Sequence, residues 1–492
     1  MSAAPDDAAP DDAAPDGAAR GPETAAPPGE PQLSGHLGVT SIVFMVIAAA
    51  APLTVINGNV PLAVTMGNGA GAPVGYLVAA LVLLLFSVGF VAMTPHVPQA
   101  GAFFAYVEQG LGARAGLGAA YLALVTYTTI QVGVWGYFGG ALSTLVHDFG
   151  GPEPPWWVGT AVGVALVAVL GYRRIELSSK VLGVALVCEI GVVLVMNAAI
   201  IGGGGAEGID LAPFAPGQMF SGSFGIAVLF SITGFIGFEA TAVFRDEARD
   251  PDRTLPRATY VAVLVIGLFY TFSAWAVVEG WGVRGVAEAA AADPDNMVLN
   301  TAERYIGGVG KDFMECLLVT SLLACTLSFH NVVARYQLTL AGRSRMPSAL
   351  GRVHPRHGSP HVSSVVQTVT ATVLLAVFAA LGMDPLTEVF SSMAGIATLG
   401  VSLLMTMTSV AVLAFFRGRA DSRWWQTRLA PALGALGLVA CLCLIVGNFA
   451  LVVEGTVAVA IGLGLVPPLA FALGYFHESR AQRALTRQPD TA

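Results

Sequence analysis

Charge is what this sequence lacks most. Only 11% of its 492 residues are charged, against roughly 25% in an ordinary soluble domain. A water-facing surface cannot be built from so little. The 24 Lys and Arg form no basic stripe, which argues against nucleic acid as a partner. Cysteine is sparse too: Cys188, Cys316, Cys325, Cys441 and Cys443 fall in or beside apolar runs without ligand-type spacing, so neither disulfides nor a metal centre is expected. An ATP-binding signature is missing, because the GGGG at 202–205 is not followed by Lys-Ser/Thr. The eight histidines make no HExxH or paired Ser-His pattern, and no cofactor is implied. A cleavable leader is not expected either, since the first apolar run begins only near Leu37 and is too long for a signal-peptide core.

Apolar residues fill the chain instead, 55% of the total at a mean hydropathy of +0.71. Runs of about 20 such residues recur almost from end to end, each long enough to cross roughly 30 Å of hydrocarbon. They predict an all-α integral membrane protein of about twelve transmembrane helices. The expected spans are 39–66, 74–94, 117–146, 156–172, 179–201 and 221–244, then 258–279, 313–341, 362–382, 387–416, 430–453 and 455–476. Residues 1–35 read as a disordered tail, because AAPDDAAPDDAAPDG has too few large apolar groups to offset its ordering entropy. The membrane domain is then 36–478, followed by a short tail, 479–492. The loop 283–310, with AEAAAA and VLNTAERYI, predicts short helices against one mouth of the bundle.

Loops rich in Lys and Arg stay in the cytoplasm. Arg173, Arg174 and Lys180 follow span four, Arg245, Arg249, Arg253 and Arg257 follow span six, and Arg343, Arg345, Arg352 and Arg356 follow span eight. Arg417, Arg419, Arg423 and Arg428 follow span ten, whereas only Arg284, Arg304 and Lys311 fall on the other side. Both termini are therefore expected in the cytoplasm, with the chain in the cytoplasmic membrane.

Lipid offers no partner to a free backbone group, so a helix breaks at membrane depth only where a protein-lined cavity can use what is freed. Span one reads MVIAAAAPLTVINGNVP, where Pro52 and Pro61 remove donors and Asn57, Gly58 and Asn59 weaken the helix. Span six reads FGIAVLFSITGFIGFEA, whose small polar centre of Ser231, Thr233, Gly234 and Gly237 is expected to open at 231–234. Any one such residue more often marks close helix packing. The pairing points further: spans one and six are five apart, as inverted repeats 39–201 and 221–416 would place them, with 430–476 added. Free N–H groups at a half-helix suit a carboxylate and freed carbonyls suit an ammonium, so a zwitterionic solute fits.

Among the acids inside spans two stand out, since an ionised carboxyl costs about 2.5–3.5 kcal/mol at the bilayer centre. Glu189, in CEIGVV midway along span five, is a candidate proton carrier or a carboxyl hydrogen-bonded between helices. Glu239, in GFEATAV, suits an inner gate or a structural role. His330 in span eight lines a cavity or packs through a hydrogen bond.

The stretch GFEATAVFRDEARDPDRTLPRA, 237–258, resembles the exit of span six in the amino acid/polyamine/organocation transporter superfamily (APC superfamily), with Glu239, Glu247, Asp250, Pro251 and Pro256 at the matching positions. NVVARYQLTLAGRSRMPSALGRVHPRHGSPHVSSVV, 331–366, is similar to that family's span-eight exit, and its Asn331 and Arg335 share a helix face. The likeness runs from about Leu37 to the last span. It implies a 5+5 inverted-repeat (LeuT-like) core with discontinuous helices 1 and 6, two extra C-terminal helices, and alternating access. Substrate would be held by the broken segments, at Ala50, Ala51 and Leu53 in one and at Ser231, Thr233, Gly234 and Phe235 in the other, with help from spans three, eight and ten. Coupling or gating would fall to Glu189, Glu239, Asn331 and Arg335. The chain departs from the family pattern in having Ala48 to Pro52 where many members have Gly-Ser-Gly. It also has Glu189 where some proton-dependent members carry a lysine, which leaves the coupling ion open between a proton and another cation. These readings point to secondary transport of an amino acid by proton symport or exchange. Polyamine transport, a non-transporting solute sensor and an intramembrane enzyme are the alternatives; the substrate and oligomeric state are not legible.

Overall fold

The computed structural model describes residues 37–97, 103–173, 179–239, 241, 248–419, 423–453 and 456–486. The expected tail at 1–35 lies outside them, as does Glu247. Backbone groups in lipid must be satisfied within the chain, and a sequence this apolar does so by coiling. Among the described residues the regular structure is helical apart from one bridge between Leu37 and Ala248.

The helices are α1 (Val39–Ala49), α2 (Ala72–Met93), α3 (Ala113–Asp148), α4 (Trp156–Arg173), α5 (Ser179–Gly202), α6 (Phe224–Thr233), α7 (Pro251–Trp281), α8 (Met297–Gly342), α9 (His361–Ala380), α10 (Ser391–Phe415), α11 (Ala430–Val452), α12 (Val457–Gly464) and α13 (Val466–Thr486). Among the described residues ten helices, with Val39–His96 counted as one, are long and apolar enough to cross a membrane. Twelve crossings are reached only by dividing Val39–His96 at the bend at Gly67 and by counting the ten-residue α6 as one. Past 478 the chain stays helical to Thr486, so the expected C-terminal tail begins as a continuation of α13. The loop 283–310 does carry the expected short helices: Val286–Ala292, and the first turns of α8 up to a kink at Gly307.

The deeply buried α3 packs against α8, α10 and α13, while α6 lies among α2, α10 and α11. Small residues permit these approaches: a Cβ on Gly75 of α2 would come 2.8 Å from Ser231 Oγ of α6. At the rim, Val162, Val184, Val369 and Leu436 point outward and exposed, as lipid-facing positions do.

Candidate substrate site

Span one breaks because Pro52 has no N–H with which to continue α1. Ala51 turns into the left-handed region at φ 46°, a conformation that costs a Cβ-bearing residue about 1–2 kcal/mol. The Ala50 carbonyl, freed by the break, accepts from the Tyr270 hydroxyl at 3.2 Å. The chain then coils again over 52–68 in widened turns. Glu189 of α5 closes the break from behind: it accepts from the Leu53 N–H and, at 3.0 Å, from Ser321 Oγ of α8. Thr54 Oγ1 in turn reaches Ser321 Oγ at 3.4 Å.

Span six breaks three residues later than its sequence suggests. The Ser231 and Thr233 hydroxyls donate to carbonyls one turn back, Ala227 at 2.7 Å and Leu229 at 2.8 Å, which leaves α6 intact to Thr233. Unwinding falls at 234–237 instead, where Gly237 takes φ 112°, open to glycine alone at little cost.

A hollow of about 30 Å³ lies between the two breaks. It is lined by Ala49, Ala50, Ala51, Thr54, Val55 and Asn59 of span one, Ile130 and Val134 of α3, Thr233 and Ile236 of span six, Cys325 and Phe329 of α8, and Phe390 before α10. None of these is charged. Of the expected substrate-binding residues, Ala50, Ala51 and Thr233 line it. Leu53 turns away with its N–H on Glu189, Ser231 is held within α6, and Phe235 packs edge-on against Tyr270 at 5.7 Å. Gly234 contributes close approach, since a Cβ there would meet Val55 Cγ1 at 2.8 Å. Cys325 and Phe329 come from span eight and Phe390 from span ten, which the family resemblance implies at the site without naming residues, whereas Thr54 and Ile236 lie in the broken spans beside the residues expected there. At this size the hollow holds about two waters, so a larger guest requires its walls to move.

Aromatic rings close it above and below. Toward the Arg-rich face, Phe329 stacks on Tyr127 at 6.2 Å and Tyr127 meets Tyr336 at 5.7 Å. The Tyr127 hydroxyl donates to Glu239 Oε1, and the Gly237 N–H donates to Oε2 at 2.9 Å. Toward the opposite face, Phe390 meets Tyr137 at 5.6 Å, and Gly58 makes room for that same ring. Asn331 is half-buried and Arg335 exposed along α8, and neither lines the hollow. His330 does not line it either; it pairs with Ser364 Oγ at 2.8 Å between α8 and α9.

Residues 41–476 match the amino acid permease family. This chain belongs to that family. Among curated permeases it is 26% identical to the branched-chain amino acid permease BcaP of Bacillus subtilis, over 89% of this chain and 94% of the relative. It is 22% identical to the serine/threonine exchanger SteT of the same organism, over 76% and 81%. A crystal structure of the Eremococcus coleocola manganese transporter superposes with a TM-score of 0.55 at 14% identity, covering 92% of the permease and 99% of that chain, a likeness in fold alone. The permease is thus a multi-pass membrane transporter with the inverted-repeat fold.

Proposed function

We propose that this permease carries a small neutral amino acid across the cytoplasmic membrane by alternating access, coupled to a proton, with both termini in the cytoplasm. The observation that carries the reading is the uncharged hollow between two helix breaks. The peptide groups around Ala50 and Ala51, whose present partners lie within the chain, exchange them for the substrate's charged ends as the site opens, and Ile130, Val134, Ile236, Phe329 and Phe390 form an apolar wall for an aliphatic side chain. A polyamine would need acids in that wall, and the hollow has none. The relative named for branched-chain amino acids agrees with the wall's chemistry.

Glu189 is the proposed proton site. It holds the Leu53 N–H at the start of the second half of span one and stands one Ser321–Thr54 step from the hollow. Protonation weakens that hold and so changes the break that grips the substrate. The test is uptake of leucine by reconstituted vesicles with an inward proton gradient. Wild type should accumulate leucine, and Glu189→Gln should bind it without accumulating it. Unchanged accumulation removes Glu189 from coupling; binding without uptake by wild type makes the protein a sensor.

A further inference from the structure

Outside the central hollow, toward the face with few basic residues, a second cavity of about 10 Å³ lies among α3, α8 and the start of span ten. Its polar lining is Tyr137, Thr144, Asp295, Asn296 and Glu315. Glu315 is wholly buried, yet among the described residues neither of its carboxyl oxygens has a partner. The Tyr137 hydroxyl, on a side chain 3% exposed, and Asp295 Oδ1 are likewise buried and unpartnered. Buried polar atoms are rarely left so, and four around one small space is far from the usual pattern.

No donor among the described residues satisfies them. Lys311, one turn before Glu315, is engaged by Asp148 at 2.6 Å, and the Asn296 amide donates to Asp293 at 3.1 Å. What remains is a set of hard oxygen atoms, two of the groups acidic, around a space the size of one ion or one water. Oxygen donors of this kind select small, hard cations. We infer that the pocket of Tyr137, Asp295 and Glu315 binds one small cation, either an alkali-metal ion or the ammonium end of a primary amine. Since Tyr137 also packs on Phe390 and over Gly58, the bound cation would pin the ring that covers the hollow from the outside. The site stands apart from the proposed substrate and proton sites and is tested by binding rather than by transport.

The full-length protein is purified at constant ionic strength in N-methylglucamine chloride, which is then replaced stepwise by sodium, potassium or methylammonium chloride while the Tm is followed. A saturable rise is expected with at least one of the three, since a ligand that prefers the folded state raises its stability. A rise with the alkali salts only assigns an inorganic ion, and one with methylammonium only assigns an amine. Glu315→Gln should abolish the rise without lowering the Tm in N-methylglucamine, and Asp295→Asn should weaken the cation by about tenfold or more. Should Glu315→Gln fail to fold, Asp295→Asn and Tyr137→Phe carry the comparison. Equal Tm in all four salts, or a rise that survives these substitutions, overturns the inference.

Discussion

The hollow has a buried acid below it and buried acids above it, and the two sides are finished differently. Below, both oxygens of Glu239 accept hydrogen bonds, one from Tyr127 of α3 and one from the Gly237 N–H of its own broken segment. Above, Glu315 and one oxygen of Asp295 have none. Burial is therefore a poor guide to role; the count of partners separates the cases. Glu239 has both oxygens engaged by its own chain, whereas Glu315, beside its cavity, has both to offer.

The largest effect that tests this contrast is expected at Glu239. Glu239→Gln replaces one of the two accepting oxygens by an N–H₂ group, so that either the Gly237 N–H loses its acceptor or the Tyr127 hydroxyl must reverse and accept, at a cost of about 1–3 kcal/mol. Its unfolding in detergent should shift by that amount toward lower denaturant or temperature. Glu315→Gln, measured in the same cation-free buffer, should lose nothing, because it breaks no bond. If the two variants were equally harmless, partner count would not distinguish floor from roof.

A smaller effect, per pH unit, is expected in the pH dependence of the roof. Burial, aided by the nearby carboxyls of Asp384 and Asp293, pushes Asp295 from an ordinary value of 3.8 up to about 7. Between those two values the folded protein holds a proton that the unfolded chain has released, so stability falls as pH rises through that window. The slope is at most about 1.4 kcal/mol per pH unit. Asp295→Asn should flatten it, as read from Tm at a series of pH values. An unchanged slope would mean that water or a counter-ion already compensates this carboxyl.

How far each side could be read from sequence follows from the same physics. Proline and glycine act locally, so Pro52 marks the first break and the small residues 231–237 place the second to within three residues, while the apolar runs locate spans better than their ends: the span expected at 313–341 is helical over Met297–Gly342, and the one expected at 258–279 over Pro251–Trp281. Glu239 announced itself as an acid inside an apolar span. Its partner Tyr127 is 112 positions away, and Ser321 is 132 from Glu189, so neither pairing leaves a local trace. Leu53 and Thr54 are adjacent, yet Leu53 gives its backbone N–H to Glu189 while Thr54 lines the hollow, a division of roles that residue type alone does not reveal. Ser231 and Thr233 both bond back to their own helix, yet only Thr233 also lines the hollow, a difference of facing that the residue types do not carry. The roof was invisible for a different reason: Asp295 lies in a loop and Glu315 near the end of a span, where acids are ordinarily solvated.

The smallest expected effect is also the most discriminating. Tyr137→Phe removes one hydroxyl and keeps the ring that packs on Phe390 and Gly58. An ordinary buried hydroxyl would leave its partner stranded when deleted, at a cost of about 1 kcal/mol or more. This one has no partner to strand, so in cation-free buffer the variant should match wild type within about 0.5 kcal/mol or exceed it slightly. Adding the cation should then separate them, because the wild-type oxygen gains a ligand and the variant has none to offer. A loss of stability before any cation is added would show that the hydroxyl is already bonded, and the roof would then resemble the floor.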